Sequence, residues 1–159
     1  VAICLLLSRF GLQRVASGFS RIVRVTSRHM SAASEKELAQ TAKEEEVTLF
    51  DKIVAREIPS DIIYEDEKTI AFRDISPTAP AHFLVVPKDR DGLTQLSKAE
   101  ERHVGLLGHL LFVAQKVAKQ EGLDEGFRVV INDGKHGCQS IYHIHLHVVG
   151  KRQLNWPPG

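Results

Sequence analysis

Three histidines alternate with aliphatic residues near the C-terminal end of the chain. His143, His145 and His147 are separated by Ile144 and Leu146. Alternate side chains of a β-strand share one face, so the sequence predicts a row of imidazoles on one side and an apolar surface on the other. A neutral imidazole can act as a nucleophile or carry a proton near neutral pH. We therefore expect the chemistry of this protein at the row, with His145 at its centre.

The loop that precedes the row carries groups suited to a phosphate. If His145 attacks phosphorus, the site also needs donors that stabilise the charge developing on the non-bridging oxygens. Gln139 brings an amide, Ser140 a hydroxyl, and Gly137 leaves the backbone exposed. Asn132 lies across the predicted hairpin and can reach the same phosphate. These residues predict a binding site for a small phosphate group.

A zinc site is the structural alternative to nucleophilic histidines. Histidines that alternate on a strand can converge on zinc. However, His143 and His147 would lie about 13 Å apart at the usual rise of a strand, which is too far for one ion. An adjacent pair could still bind zinc with help from His82 or Cys138, so this alternative stays open. A merely solvated polar face explains one histidine better than three in register.

The composition limits the class of protein. The chain has 159 residues, 43% of them hydrophobic, and a formal net charge of +1. This size predicts one domain with a proper core, and the low charge argues against wrapping of nucleic-acid phosphates. Cys4 and Cys138 are far apart and form neither a CxxC pair nor a disulfide framework, which is typical of a reducing compartment.

The N-terminal part differs in composition from the rest. Residues 1–34 contain five arginines and no acidic residue. This predicts an organelle transit peptide, directing the protein to mitochondria or plastids, or else a disordered extension. Translation from Met30 would instead give a cytosolic or nuclear form. Residues 35–47 are rich in Glu, Lys and Ala, and we expect a polar linker or a loose helix without a buried face.

The remainder, residues 48–159, has the pattern of an α+β domain. Thr48 can cap a short helix that ends by Pro59, and Ser97 with Glu100 forms a capping box for a long amphipathic helix that ends at Gly122. Alternating and β-branched runs predict five strands at 62–64, 69–73, 82–86, 127–132 and 141–149. We expect a five-stranded antiparallel sheet with the long helix on one face.

These motifs together resemble the histidine-triad (HIT) superfamily, and its Hint branch in particular. The histidine row has the alternation of the family signature. Further resemblance extends over about residues 48–159 and includes the segments Phe50–Ile53, Glu57–Pro59, Ala71–Pro77, His82–Pro87, Gln139–Tyr142 and Trp156–Gly159. The resemblance implies the HIT fold and a purine nucleoside phosphoramidase, which cleaves the P–N bond of adenosine 5′-monophosphoramidates and of aminoacyl or lysyl adenylates through a nucleotidylated histidine.

The resemblance also implies a role for each matching residue. His145 would be the nucleophile, His147 would assist at the phosphate and leaving group, and Ser140 would help the leaving nitrogen. His143 and His82 would form a supporting layer. Asp74 and Ile75 would meet the ribose and the base edge. The purine would be walled by Phe50, Ile53, Ile58 and Leu84, and the phosphate would be held by Asn132, Gln139 and Ser140 beside Cys138. This chemistry needs no metal or cofactor.

The resemblance further implies a two-fold homodimer that pairs through the long helix, with the tail at Trp156 reaching the partner's site. It predicts no nucleic-acid partner and no membrane span. The chain departs from the family pattern at Cys138 and Lys151, where small residues are common. Two other functions stay open: a nucleotide- or zinc-binding regulatory protein, and a dinucleoside polyphosphate hydrolase.

Overall fold

A computed structural model describes residues 34–158 and shows one five-stranded antiparallel sheet. The strands are β1 (Ile62–Glu65), β2 (Thr69–Arg73), β3 (Ala81–Pro87), β4 (Phe127–Val130) and β5 (Leu146–Gly150), in the spatial order β1-β2-β3-β5-β4. The helices are α1 (Glu35–Thr41), α2 (Leu49–Val54) and α3 (Val104–Gln120). The predicted α+β class is confirmed. The predicted transit peptide lies almost wholly outside the described residues and stays a prediction, as do the domain boundaries.

The sheet is covered on both faces, which explains why every residue of β3 is buried. On one face, Phe83, Val85 and Leu146 pack with α3 residues such as Leu110 and Val113. On the other face, a smaller cluster joins the sheet to α2, and its buried members are Phe50, Ile53, Ile70, Phe72, Leu84 and Val86. His147 pairs with Leu84 in the register of β5 and β3. The histidines therefore lie on the α2 face.

The strand that carries the histidines is shorter than predicted. We expected a strand over 141–149, but β5 begins at Leu146, so His143 and His145 precede it. The backbone there is used by other partners: Ile144 N–H donates to the Leu93 carbonyl at 3.2 Å, and the Tyr142 carbonyl accepts from Arg90 Nη1 at 3.0 Å. These bonds hold the segment in a fixed shape outside the ladder. Similarly, β4 ends at Val130 rather than at 132.

The predicted capping box of the long helix is wrong. Two 3₁₀ turns, Leu96–Lys98 and Glu101–His103, precede α3, which starts only at Val104. The Ser97 hydroxyl donates instead to Asp133 Oδ1 at 3.1 Å. Glu100 and His103 make the reciprocal cap, in which the Glu100 N–H donates to His103 Nδ1 at 2.9 Å.

The segment predicted as a polar linker contains α1, which does bury a side chain. Ser34 and Glu37 form a capping box that starts this helix, and Ala39 is only 2% exposed. The expectation of no buried face was therefore wrong. A small apolar residue in a polar helix gives almost no periodic signal, so the sequence did not reveal it. Among residues 34–158, no helix is long and apolar enough to cross a bilayer.

Candidate active site

A cavity of about 510 Å³ opens on the α2 face of the sheet beside the histidines. Its apolar wall is formed by side chains of α2, β2, β3 and the loops between them, namely Leu49, Phe50, Ile53, Ile58, Phe72, Ile75 and Leu84. The polar end is formed by Asp74, Ser140, His145 and His147. An apolar slot with a few convergent polar groups is typical of a small-molecule site, and this one is large enough for a nucleoside.

A hydrogen bond to the backbone fixes the tautomer of His145. Its Nδ1 lies 2.7 Å from the carbonyl oxygen of His143. A carbonyl only accepts hydrogen bonds, so Nδ1 carries the proton and Nε2 keeps its lone pair. The ring is 4% exposed and packs edge-on against Phe50, with ring centroids 5.0 Å apart. A buried ring with one fixed tautomer leaves Nε2 as the atom available for attack.

His147 has the opposite tautomer, which is set by a chain that begins at a backbone amide. The Thr78 N–H donates to His82 Nδ1 at 3.2 Å, so the proton of a neutral His82 is on Nε2. His82 Nε2 lies 3.0 Å from His147 Nδ1 and donates to it. The proton of a neutral His147 is then on Nε2. The two neighbouring rings, whose centroids are 5.0 Å apart, thus offer one lone pair and one N–H.

The Asp74 carboxylate stands behind this chain. Its Oδ2 lies 3.5 Å from His82 Nε2 and 3.9 Å from His147 Nδ1, and its Oδ1 accepts from the Ser76 N–H at 2.8 Å. It stabilises a positive charge on either ring and orients His82.

His143 is enclosed by protein and does not line the cavity. Its side chain is completely buried, and its Nε2 donates to the Pro87 carbonyl at 3.0 Å. Its Nδ1 lies 3.1 Å from Thr48 Oγ1, the hydroxyl that caps α2, and 3.4 Å from Asp51 Oδ1. The ring joins α2 to the end of β3, and its backbone carbonyl orients His145. His143 thus contacts the site through its carbonyl, while its ring packs behind it.

Burial keeps all of these imidazoles neutral. It lowers the pKa of His143 to about 4, against weaker opposing effects of the Pro87 carbonyl and Asp51. It lowers the pKa of His147 to about 3, assisted by the neighbouring His145 and His82. The pKa values of His145 and His82 are also lowered by burial, and Asp74 works against that shift in both. A neutral ring keeps a lone pair on one nitrogen at pH 7, and the fixed tautomer determines which nitrogen that is.

The structure brings most of the predicted site residues together, but of the loop that precedes the histidines only Ser140 is among them. Ten of them line the cavity or support it directly, namely Phe50, Ile53, Ile58, Asp74, Ile75, His82, Leu84, Ser140, His145 and His147. Asn132, Cys138 and Gln139 do not line it. Their expected place at a phosphate stays a prediction.

The side chains of Gln139 and Asn132 instead form hydrogen bonds with nearby backbone groups. Gln139 is 1% exposed, its amide NH₂ donates to the Thr94 and Ile141 carbonyls at 2.7 and 3.1 Å, and its Oε1 accepts from the Gly134 N–H. Asn132 Nδ2 donates to the Cys138 carbonyl at 3.3 Å. A buried amide finds its partners wherever backbone groups are unpaired, which sequence spacing cannot show. Gly137 is small because the Asp133 backbone occupies the space of a Cβ.

Sequence reasoning missed several residues of the site. Phe72 and Leu49 belong to the apolar wall, and Glu35 of α1 stands at its rim. Phe72 pairs with Leu84 across the sheet, so strand alternation from Leu84 could have revealed it. Thr48 and Thr78 contact the histidines through a hydroxyl and a backbone amide, and no sequence pattern indicates such contacts.

Comparisons with known proteins show which family the chain belongs to. The family model described as "HIT domain" matches residues 55–154, which is more than half of the chain. The chain belongs to the HIT family. The "14 kDa zinc-binding protein" of Zea mays is 63% identical over 127 residues, covering 80% of this chain and 99% of the maize protein. "Adenylylsulfatase HINT1" of Arabidopsis thaliana is 59% identical over 146 residues, covering 88% and 99%.

Solved HIT structures have the same fold. A HIT family hydrolase from Legionella pneumophila has a TM-score of 0.67 at 44% identity and covers 70% of this chain and 98% of its own. A histidine triad protein from Clostridium difficile has a TM-score of 0.65 at 38% identity and covers 71% and 97%. The family, the fold and these relatives make this chain a HIT-family hydrolase, and they support a nucleotide as the class of substrate.

The buried His143 predicts a particular loss of stability in acid. Its pKa is lower in the folded chain, about 4, than its ordinary value of 6.5, so the unfolded chain takes up a proton first as the pH falls. Stability is then lost from about pH 6.5 down to about pH 4, by roughly 2 kcal/mol between pH 6.5 and pH 5. Urea unfolding at several pH values measures this loss. His143→Gln should flatten the slope by about that amount, and equal slopes in both proteins would contradict the assignment.

Proposed function

We propose that this protein is a purine nucleoside phosphoramidase, which hydrolyses the P–N bond of adenosine 5′-monophosphoramidates and aminoacyl or lysyl adenylates. The observation that carries the proposal is the pair of fixed tautomers. His145 presents an Nε2 lone pair and His147 an Nε2–H at one end of an apolar cavity of nucleoside size. Membership of the HIT family supports a hydrolase of this kind.

In the first step, His145 Nε2 attacks phosphorus and the bond to the leaving nitrogen breaks. The bound phosphate and Asp74 stabilise the doubly protonated ring of His147, which gives its Nε2 proton to that nitrogen and becomes neutral, so a neutral amine departs. The Ser140 hydroxyl at the same end of the cavity can relay the proton. In the second step, water attacks phosphorus and returns a proton to His147. The bond between phosphorus and His145 breaks, its electron pair returns to Nε2, and the nucleoside monophosphate is released.

The rest of the cavity supplies binding rather than chemistry. The aromatic ring of Phe50 forms an edge contact with Phe72, with centroids 5.8 Å apart, so the two rings give a rigid slot for a purine. Asp74 Oδ2 is available to accept from ribose hydroxyls while Oδ1 is held by Ser76. Apolar contact with the base positions phosphorus at the histidines, which raises the rate through proximity.

A sulfate leaving group is the second candidate for the same site. The Arabidopsis relative is named for action on adenylyl sulfate. Cleavage of that compound would use the same attack by His145 and form the same adenylylated ring, but sulfate departs without a proton. The two activities therefore differ in their need for His147, which makes them separable.

Zinc binding is the candidate from a different class. Asp74, His82 and His147 each offer one ligand atom, and these atoms all lie within 4.8 Å of one another. A carboxylate and two imidazoles are an ordinary zinc donor set, so the residues fit the ion named in the maize relative. Zinc bound there would act as a Lewis acid. It would also engage His147 Nδ1, and so compete with the hydrogen bond from His82.

We also propose that the chain forms a two-fold dimer through α3. Val104, Leu111 and Phe112 recur on one stripe of that helix and are 65, 50 and 63% exposed. Gly105 and Gly108 lie beside the stripe, with nothing near the space that a Cβ would fill, so another helix could approach closely. In addition, β4 is an edge strand and its Phe127 is exposed. An exposed apolar stripe of this size is typical of a subunit interface.

The two histidines should respond differently to the leaving group. His145→Ala should reduce kcat/KM by about 10⁴-fold or more for every adenylyl conjugate, because the nucleophile is lost. His147→Ala should cost about 10² to 10⁴-fold with an alkylamine leaving group, and much less with sulfate, which needs no proton. His136→Ala, which removes an exposed histidine outside the cavity, is the matched control. Steady-state kinetics on both substrates, and on a diadenosine polyphosphate, measure these ratios.

Mass spectrometry of the quenched reaction should show one adenylyl group on His145 in the wild type and none in His145→Ala. Equal turnover by His145→Ala would contradict the mechanism. A wild-type protein that binds AMP or one equivalent of zinc, but turns over no substrate in the panel, would favour the regulatory binding protein. Preferred cleavage of the diadenosine polyphosphate would indicate a dinucleoside polyphosphate hydrolase.

The dimer is tested by sedimentation velocity. Phe112→Glu should convert the protein to a monomer, because the partner helix would bury an unpaired carboxylate. Gln120→Glu, which adds the same charge at the end of α3 away from the stripe, should leave the dimer intact. A wild-type protein that sediments as a monomer at micromolar concentration would contradict the dimer.

A further inference from the structure

The helix α1 covers one rim of the cavity and delivers a carboxylate to it. Glu35, the first residue of α1, lines the cavity together with Asp74, His145 and His147. Ser34 and Glu37 cap the start of the helix, and Ala39, in its middle, is buried against the rest of the protein. Glu35 is therefore part of the cavity wall and not a residue of a free tail.

The segment after α1 is tied to the same structure that holds the histidines. Arg90 Nη2 donates to the Glu45 and Glu46 carbonyls at 3.0 and 2.8 Å, while its Nη1 donates to the Tyr142 carbonyl at 3.0 Å. Glu44 forms an ion pair with Lys98. One guanidinium thus links the N-terminal segment to the residue that precedes His143. This link limits how far α1 can move from the site.

The charged groups that line the cavity are mostly negative. They are Glu35, Asp61, Arg73 and Asp74. The only cation among these, Arg73, is engaged by Asp61 at 3.2 Å and by Glu121 at 2.8 Å. The histidines are neutral, so they do not offset the carboxylates. Such a cavity repels a ligand more strongly for each negative charge that the ligand carries.

Glu35 is within electrostatic reach of the reacting end. Its carboxylate, like that of Asp74, works against the burial that lowers the pKa of His82 and of His145. Asp74 is hydrogen-bonded and close to two imidazoles, whereas Glu35 has no ion pair within residues 34–158. Of the carboxylates that line the cavity, Asp61 pairs with Arg73 and Asp74 lies against two imidazoles. Among residues 34–158, Glu35 is therefore the one whose charge can be removed without breaking an ion pair or disturbing the histidine chain.

We propose that Glu35 is a specificity-determining residue, which discriminates against adenylyl compounds that carry negative charge beyond the single charge of the reacting phosphate. This inference rests on the proposed function for the identity of the substrates. It ranks leaving groups by charge: a cationic amine first, a neutral amine next, and sulfate or a polyphosphate last. Docked α1 is what holds the discriminating charge in place.

The first test measures binding alone, so that it does not depend on turnover. Calorimetry gives the ratio of Kd for adenosine to Kd for AMP, which differ by the phosphate charge. Glu35→Gln should raise this ratio about three- to tenfold, which corresponds to one charge acting through a partly solvated site. Glu37→Gln removes the same charge two residues further along α1 and keeps the capping box, so it should leave the ratio at its wild-type value.

The second test measures selectivity. The substrates are the adenosine 5′-phosphoramidates of ethylenediamine and of propylamine, together with adenylyl sulfate. Glu35→Gln should lower the ratio of kcat/KM for the ethylenediamine conjugate to that for adenylyl sulfate by about tenfold, and the propylamine conjugate should fall between them. Ala39→Gln, which places a larger polar side chain at the buried contact of α1, should shift the ratio in the same direction.

The outcomes separate the two proposals. A wild-type selectivity ratio and a wild-type Kd ratio in Glu35→Gln would overturn the role of Glu35, even if the enzyme cleaves phosphoramidates as proposed. A shift in the Kd ratio in a protein that cleaves none of the three substrates would leave the role of Glu35 standing and overturn the phosphoramidase. A shift in Glu37→Gln equal to that in Glu35→Gln would also overturn the proposal, because it would indicate a diffuse effect of helix charge.

Discussion

The hydrogen bond from His145 Nδ1 to the carbonyl of His143 is the interaction on which the active site depends. At 2.7 Å it determines which nitrogen of the central ring carries a proton. The bond forms because the chain leaves the β-ladder before Leu146, so the His143 carbonyl is not used by a neighbouring strand. Local departure from regular sheet structure therefore leaves the lone pair of His145 on Nε2. A strand that continued through His143 would engage that carbonyl elsewhere and leave the tautomer of His145 undetermined.

The remaining structure keeps that segment in place. Arg90 holds the Tyr142 carbonyl, the Leu93 carbonyl holds the Ile144 amide, and Pro87 and Thr48 hold the ring of His143. Each partner comes from a different part of the chain. Helix α2 thus contributes twice: its apolar face forms the wall of the cavity, and its capping hydroxyl fixes the buried histidine. The desolvation that keeps the imidazoles neutral is a result of the same packing.

Much of this arrangement was predictable from the sequence. Alternation of β-branched residues located all five strands, and the resemblance carried by the histidine row and its flanking motifs pointed to most of the residues that line the cavity. The termini of β5 and α3 were not predictable, because side chains such as Arg90 and His103 override the local pattern there. Gln139 illustrates the same limit: its residue type suggests a phosphate donor, yet its amide is fully engaged with the loop backbone. Glu35 could not be found because α1 docks through a single small residue.

The proposed mechanism depends on which ring nitrogen of His145 carries the proton, and nitrogen NMR measures this directly. In protein labelled with ¹⁵N at histidine, long-range ¹H–¹⁵N correlation spectra at neutral pH distinguish protonated from unprotonated ring nitrogens. We expect His145 to be neutral with its proton on Nδ1, and His147 to be neutral with its proton on Nε2. A spectrum in which His145 carries its proton on Nε2, or in which its ring is cationic at neutral pH, would contradict this assignment.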